Sequence, residues 1–215
     1  MSRSNAALDP VALSALLASR LCHDLINPVG ALGSGLEVLD DAAMDQSMRD
    51  AAIDLIRSGG EKSIALLKYA RLAYGAAGSH GAEIPFEEAE AMLRDLYRWS
   101  KATLDWRIAP GLAAKEKVKT VLILGHAASD CAPRGGVVAV SGGGGEFLVE
   151  ATGPRLILQD DLVAALAGRT DDIKPKFAPA YVAGLMARES GGDIVASAEE
   201  TKIAFRARFG TPSSR

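Results

Sequence analysis

The fold of this 215-residue chain is decided by the stretch Leu21-Cys22-His23-Asp24-Leu25-Ile26-Asn27-Pro28. Around it, apolar residues recur at steps of three, four or seven, which is the spacing of one face of an α-helix. This stripe is made of leucines 13, 17, 21, 25, 32, 36 and 39, with Pro28 in the gap. We expect the stripe to form part of a core.

His23 lies about 160 to 200° around this helix from its neighbouring leucines, on the side that also carries Arg20, Asp24 and Asn27. It is therefore predicted to meet water or a partner protein. An exposed histidine on a helix is most often ordinary surface. Here, however, the adjacent acid can accept its hydrogen bond or proton, and Pro28, which lacks an N–H, is expected to bend the helix just past it. The pattern alone leaves both interpretations open.

Small residues continue this side of the helix for the next turns. Glycine costs about 0.5 to 1 kcal/mol in a helix interior relative to alanine, so a cluster of glycines indicates a steric requirement. The glycines are Gly30, Gly33 and Gly35, and Ser34 stands among them. We interpret the bare surface as one that another protein approaches closely, with Gly30 and Ser34 as contact residues.

Composition excludes several classes of function. Hydrophobic residues make up 48% of the chain, and the net charge is −3. The sequence has no basic run of the kind that binds nucleic acid through phosphates. It also lacks an apolar stretch of about 18 residues and a signal-peptide pattern, so we expect a cytoplasmic protein without a membrane partner. Cys22 and Cys131 are expected to be free thiols, and the three histidines have no zinc-ligand spacing.

The first half of the chain is predicted to form a helical hairpin. Its helices span about residues 10–40 and 46–75, and a short polar connection makes them antiparallel. The second helix is expected to present an apolar side with Ile53, Ile56, Ile64, Leu67 and Tyr74. A two-helix hairpin cannot bury its stripe alone, so we predict a homodimer built on a four-helix bundle. The segment 75–83 is the expected linker.

The second half changes to an α/β pattern. Helices are predicted at about 86–99, 114–130, 160–168 and 177–190, and strands at 103–108, 136–141, 146–151, 193–199 and 201–209. The glycine run at 142–145 is not followed by the GK[ST] of a phosphate loop, so it is interpreted as a hairpin tip. We expect helices on one face of a mixed, largely antiparallel sheet.

A helical hairpin with HD-x-x-N-P, followed by an α/β domain of this order, resembles the dimerisation and ATP-binding halves of sensor histidine kinases. His23, Asp24, Asn27 and Pro28 match the H-box of that family, in which the histidine is the phosphoacceptor and the acid assists. The resemblance implies an α + α/β fold. Residues 1–78 would form the dimerisation and phosphotransfer domain, and residues 84–215 an α/β sandwich like the kinase ATP-binding domain.

The second domain departs from those kinases at every nucleotide element. Ala127 stands at the place of the metal-binding Asn, with Asp130 where a basic residue is usual. Ala151 ends the strand that should lead to the adenine-binding Asp, and Arg155 replaces a small residue. The last glycine box is replaced by the residues 177–180. The resemblance therefore implies no ATP binding and no cofactor of the protein's own.

A kinase fold that keeps its histidine and loses its ATP site resembles the ChpT family of bacterial histidine phosphotransferases. The similar motifs span residues 19–31, 75–78 and 132–136. Membership implies a phosphorelay in which His23 takes a phosphoryl group from the receiver domain of a CckA-like hybrid kinase. It then passes the group to CtrA-like and CpdR-like response regulators, whose receivers supply Mg²⁺.

The same resemblance implies roles for the neighbours of the histidine. Asp24 would hold the proton of the second ring nitrogen, and Arg20 would neutralise phosphoryl oxygens. Asn27 would hydrogen-bond the phosphoryl group or a water. Arg20 and Asn27 are also expected to contact the partner. Two alternatives remain, an active ATP-dependent histidine kinase and a non-catalytic dimeric adaptor; ATP binding and phosphorylation of His23 would discriminate among the three.

Overall fold

Each of the two long helices of the hairpin begins at an aspartate whose side chain caps it. The computed structural model describes residues 7–75, 83–169 and 171–210. The Asp9 carboxylate accepts a hydrogen bond from the amide of Ala12 and starts helix α1, Pro10–Asp40, and Asp45 caps helix α2, Gln46–Ala73, in the same way. The helix runs through Pro28 without a break, and the bend expected there stays a prediction. The predicted pair of long helices is confirmed.

The helices meet through small residues and through part of the predicted α1 stripe, where Pro28 and Leu32 lie against Gly59 of α2. In α1 only Pro28 and Gly35 are fully buried, and Leu36 is 53% exposed. In α2, Ile53, Ile64 and Leu67 of the predicted apolar side are exposed in this single chain. The buried positions of α2 include Ala52, Gly59, Ser63, Leu66 and Tyr69. Small residues let two backbones approach closely, and Ala52 and Gly59 of α2 lie at the crossing together with Ile56.

Gly35 corrects the expectation that the glycines of α1 serve a partner protein. A Cβ atom at Gly35 would lie 2.5 Å from Cγ1 of Ile56 and 3.0 Å from the carbonyl oxygen of Ala52. The steric requirement at this position therefore comes from α2. At Gly30 and Gly33 a Cβ would meet no atom of the described residues within 4 Å.

The α/β domain follows the predicted order. Its elements in chain order are strand β1 (Glu83–Pro85), helix α3 (Phe86–Tyr97), strands β2 (Ala102–Trp106) and β3 (Leu112–Ala114), helix α4 (Lys115–Asp130), strands β4 (Gly136–Gly143) and β5 (Glu146–Thr152), helix α5 (Asp160–Leu166), a 3-10 turn (Pro175–Phe177), helix α6 (Ala178–Glu189), and strands β6 (Asp193–Ala198) and β7 (Lys202–Arg208). The pairing of β1 with β3 was not predicted.

The main sheet has the strand order β2-β4-β5-β7-β6, with β2 parallel to β4 and the other pairs antiparallel. Burial alternates along β5, where Phe147, Val149 and Ala151 point into the core. This alternation places one face of the sheet against the helices. The glycine run joins β4 to β5 as the predicted hairpin tip, with Gly142 and Gly144 at positive φ. The mixed, largely antiparallel sheet is confirmed.

The second domain packs onto the hairpin. Leu66 and Tyr69 of α2 belong to the same buried cluster as the helices and strands of the α/β domain. The contact also includes an ion pair of 3.1 Å between Arg98 and Glu61, and a hydrogen bond from the amide of Leu8 to the Tyr181 hydroxyl. The α/β domain is thereby held beside the middle of α1, where His23 lies.

Two sequence predictions are not tested by these elements. The linker falls largely on residues 76–82, which lie outside the described residues, so the domain bounds 1–78 and 84–215 stay predictions.

Within the described ranges, no helix combines the length and apolar character needed to cross a membrane.

Candidate functional site

His23 stands in the middle of α1 with its side chain 80% exposed. The ring Nδ1 lies 3.5 Å from Oδ1 of Asp24, at the outer limit of a hydrogen bond. Hydrogen bonds at catalytic groups are often long before the substrate binds and tighten in the complex. With Nδ1 directed to Asp24, Nε2 is the nitrogen that remains for a reacting partner.

Asp24 connects the histidine to Arg20. Its other oxygen, Oδ2, accepts a hydrogen bond from Nε of Arg20 at 2.6 Å, one turn earlier on the helix. The two side chains are only 12% (Arg20) and 16% (Asp24) exposed. The helical pattern placed both on the outer side of α1, but that side is covered by the second domain. The sequence could not indicate this because it does not show which element docks there.

The second domain supplies two further partners of Arg20. Its Nη1 lies 3.5 Å from the carbonyl oxygen of Lys176, and its Nη2 lies 3.9 Å from Oδ2 of Asp130. All three guanidinium nitrogens therefore face an acceptor. Lys176 lies in the 3-10 turn before α6, and Asp130 is the last residue of α4.

Two grooves flank His23, and both have walls from the second domain. One groove, of about 270 Å³, contains Asn27 and is closed by Trp99, Ser129 and Asp130. The other, of about 520 Å³, runs along Ser19 and Arg20 and is bounded by residues 174–176. The sequence analysis missed these second-domain residues, apart from Asp130, because no local pattern connects them to position 23.

Gly30 and Ser34 lie exposed further along α1. Their small side chains leave the surface of α1 uncrowded, because a Cβ atom at Gly30 would meet no atom of the described residues within 4 Å.

An aromatic ring contact joins the second domain to α2 beside the site. The imidazole of His126 in α4 packs edge-on against Tyr69, with ring centroids 4.7 Å apart. Burial lowers the pKa of His126, and the negative charge of Asp130 acts in the opposite direction. Burial raises the pKa of the Tyr69 hydroxyl well above its ordinary value. We expect both groups to be neutral at pH 7.

A small cavity lies beside Ala127, the residue that the resemblance to kinases aligns with the metal-binding Asn. Ala127 lines a cavity of about 40 Å³ between α4 and the segment before α6, and Phe177 and Pro179 form its opposite wall. Ligand pockets commonly measure about 300 to 1,000 Å³. Ala151 is buried in β5, and Arg155 is exposed beyond the end of that strand.

The chain is similar to known histidine phosphotransferases. Residues 86–202 match a family described as the histidine phosphotransferase C-terminal domain. The protein phosphotransferase ChpT of Brucella abortus (strain 2308) is 36% identical over 170 residues, which are 79% of this chain and 74% of that protein. The chain belongs to the ChpT family.

A solved structure supports the placement within the ChpT family. It is a bacterial phosphotransferase that is 30% identical, with a TM-score of 0.83, and the match covers 95% of this chain and 99% of that one. The histidine kinase domain of the blue-light activated kinase EL346 from Erythrobacter litoralis also matches, with 13% identity and a TM-score of 0.46 over 85% of this chain and 94% of that one. As a ChpT-family member, the chain is a histidine phosphotransferase of a phosphorelay.

Proposed function

We propose that His23 carries a phosphoryl group between receiver domains. The donor is the aspartyl phosphate of a CckA-like hybrid kinase receiver, and the acceptors are the aspartates of CtrA-like and CpdR-like response regulators. The observation that carries this proposal is a histidine whose side chain is 80% exposed, with its Nδ1 beside an enclosed carboxylate. Nε2 is thus presented outward, between two grooves that a docking domain can enter.

The transfer itself needs one nitrogen lone pair. Nε2 of neutral His23 attacks the phosphorus in line; an N–P bond forms while the O–P bond to the donor carboxyl breaks, and the electron pair leaves with that carboxylate. The ring becomes a phosphoimidazolium that keeps its Nδ1 proton. In the second transfer the acceptor carboxylate attacks phosphorus, and Nε2 regains its lone pair. Such loose transition states depend mainly on positioning and charge neutralisation.

Asp24 has the geometry to stabilise this intermediate. Its Oδ1 faces Nδ1, so a carboxylate stands next to the proton that becomes more acidic when the ring is phosphorylated. Arg20 is bound to the other oxygen and is nearly enclosed. We therefore propose that Arg20 acts through Asp24 rather than on the phosphoryl oxygens directly. Asn27, exposed one turn beyond His23, remains our candidate for a hydrogen bond to the phosphoryl group or a water.

The protein is proposed to need no cofactor of its own. The carboxylates at the site, Asp24 and Asp130, are both directed toward Arg20. Mg²⁺ would come with the acidic pocket of the receiver.

Nucleotide binding is proposed to be absent, so the protein is not an ATP-dependent kinase. The roughly 40 Å³ cavity beside Ala127 offers little contact to offset the loss of translational and rotational freedom, which costs about 4 to 15 kcal/mol. Calorimetry with Mg-ATP should show no heat of binding. A dissociation constant below about 100 µM, or about 5.5 kcal/mol of binding, would contradict this.

We also propose that the hairpin pairs with a second copy to form a four-helix bundle. Single helices and hairpins bury their apolar surface by such packing. The exposed large apolar side chains of α1 and α2 include Ile26, Val29, Leu36, Ile53, Ile64 and Leu67. They provide an apolar surface for the partner.

The deciding experiment incubates the protein with a phosphorylated receiver and measures acid-labile label. His23→Gln should abolish labelling while far-UV circular dichroism stays unchanged. His80→Gln is the matched control and should be labelled like the native protein. Label that persists in folded His23→Gln would refute the proposal, and an unlabelled native protein would favour a dimeric adaptor.

A further inference from the structure

Arg20 is the point at which the second domain reaches the phosphoacceptor site. Its Nε is bound to Asp24 of its own helix, while the acceptors near Nη1 and Nη2 belong to the second domain. The Arg20 side chain is 12% exposed, whereas that of Asp130 is 44% exposed. A guanidinium that is almost enclosed at a domain contact cannot reorient unless these partners separate.

We infer that Asp130 is a positioning residue for phosphotransfer: it holds Arg20, and Arg20 holds the Asp24 carboxylate against Nδ1 of His23. The inference rests on the proposed function of His23 and deepens it. It assigns the end of α4 an effect on the reaction that Arg20 and Asp24 transmit to the histidine.

The ion pair between Arg20 and Asp24 is weak on its own helix. An ion pair between residues i and i+4 of one helix contributes little by itself, because long side chains lose rotamer freedom when they pair. The Arg20–Asp24 contact is of this kind. It becomes a fixed arrangement only if other contacts hold the guanidinium, and the planar fork of arginine suits two carboxylates at once.

The surroundings of Asp130 place it at a defined position. His126 lies one turn earlier on α4, and its ring packs against Tyr69 of α2. The contact fixes the last turn of α4 against the hairpin. Arg20, Tyr69, His126 and Asp130 all line the cavity of about 40 Å³ beside Ala127, so α1, α2 and the end of α4 meet there.

A second ion pair between the domains provides a matched control. Arg98 at the end of α3 pairs with Glu61 of α2 at 3.1 Å, and this pair does not involve Arg20. If Asp130 only held the domains together, Glu61→Gln and Asp130→Asn should have similar effects. If Asp130 positions Asp24, only Asp130→Asn should change the state of His23.

The first measurement needs no receiver. In full-length protein with ¹⁵N-labelled histidine, the ring nitrogen shifts of His23 report the fraction of the tautomer that carries its proton on Nδ1. Asp130→Asn should lower this fraction, Asp130→Glu should restore it, and Glu61→Gln should leave it unchanged. Equal shifts in Asp130→Asn and Glu61→Gln would overturn the inference, and so would no shift in either.

The second measurement separates docking from chemistry. Single-turnover transfer from a phosphorylated receiver, followed over receiver concentration, gives a maximal rate and a half-saturating concentration. Asp130→Asn should lower the maximal rate at least threefold, part of the roughly 100-fold that misplaced groups can cost. A change in the half-saturating concentration alone would contradict the inference. If even the native protein transfers nothing, the proposed function fails, while the nitrogen shifts still decide whether Asp130 positions His23.

Discussion

Replacing Gly59 by alanine would place a methyl group in a close backbone contact between α1 and α2. A Cβ atom there would lie 2.6 Å from the carbonyl oxygen of Pro28 and 3.2 Å from Cδ2 of Leu32. The first of these contacts is with backbone, which cannot turn aside as a side chain does. The helices would have to move apart next to the turn that carries His23.

The adjacent Gly60 is the matched control. A Cβ at Gly60 would meet only Cδ2 of Leu32, at an ordinary distance of 3.9 Å. Alanine gains about 0.8 to 1 kcal/mol over glycine in a helix interior at either position. Overpacking commonly costs about 1 to 3 kcal/mol and applies to Gly59 alone. Gly60→Ala should therefore stabilise the protein, and the two variants should differ by about 1 to 3 kcal/mol in free energy of unfolding.

Urea unfolding followed by far-UV circular dichroism measures this difference. All variants should be compared at one protein concentration, because any association would make the midpoint depend on concentration. If Gly59→Ala were as stable as Gly60→Ala, the helices would not be in backbone contact at this position. Our account of the crossing by small residues would then be wrong.

Three further predictions concern the surface and the domain contact. Gly30→Leu and Ser34→Trp, both at exposed positions, should slow transfer from a receiver at least tenfold, a small part of the roughly 100-fold cost of misplacement, without lowering the unfolding midpoint; unchanged rates would exclude this surface from docking. Leu36→Glu should leave the fold intact, because the side chain is 53% exposed, and should shift light scattering from dimer to monomer; a native monomer at micromolar concentration would refute the dimer. Burial holds the pKa of His126 below its ordinary value of 6.5, so the unfolded chain binds a proton that the folded protein does not. The free energy of unfolding should thus fall as pH drops below about 6.5, by up to about 1.4 kcal/mol per unit, and His126→Asn should reduce that slope; an identical slope in the variant would show that other groups cause it.

Periodicity predicted the elements of this fold well because each long element carries its own pattern. The hairpin helices and the five strands of the main sheet have many residues on one face, and each residue adds to the signal. Strands β1 and β3 have three residues each and pair with one another across helix α3, so no local period reveals them. The residues of α2 that contact α1 could not be predicted for another reason: hydrophobicity marks Ile53 and Ile64, which are exposed in the single chain, whereas close helix contact favours Gly59.

The candidate site was predictable only as far as one helix determines it. The angle between His23 and the leucines places the histidine outward, and the structure has it 80% exposed. The enclosure of Arg20 depends on Asp130 and Lys176, which are more than a hundred residues away in sequence. A helical wheel gives directions around an axis, but it does not show what lies in those directions.

The close packing of the two domains gives the α/β fold a role that does not depend on a nucleotide. Leu66 and Tyr69 on α2 are 8% and 3% exposed, within the buried cluster that the α/β domain completes. Burial of such a side chain contributes about 1.5 to 3 kcal/mol to stability. Loss of the domain would expose both side chains, and the hairpin would lose several kcal/mol of stabilisation. It would also remove two of the three partners of Arg20. Both contributions come from the packing of the α/β domain on the hairpin, and neither requires a bound nucleotide. The hairpin and the enclosure of Arg20 therefore depend on the α/β fold whether or not that fold binds a nucleotide.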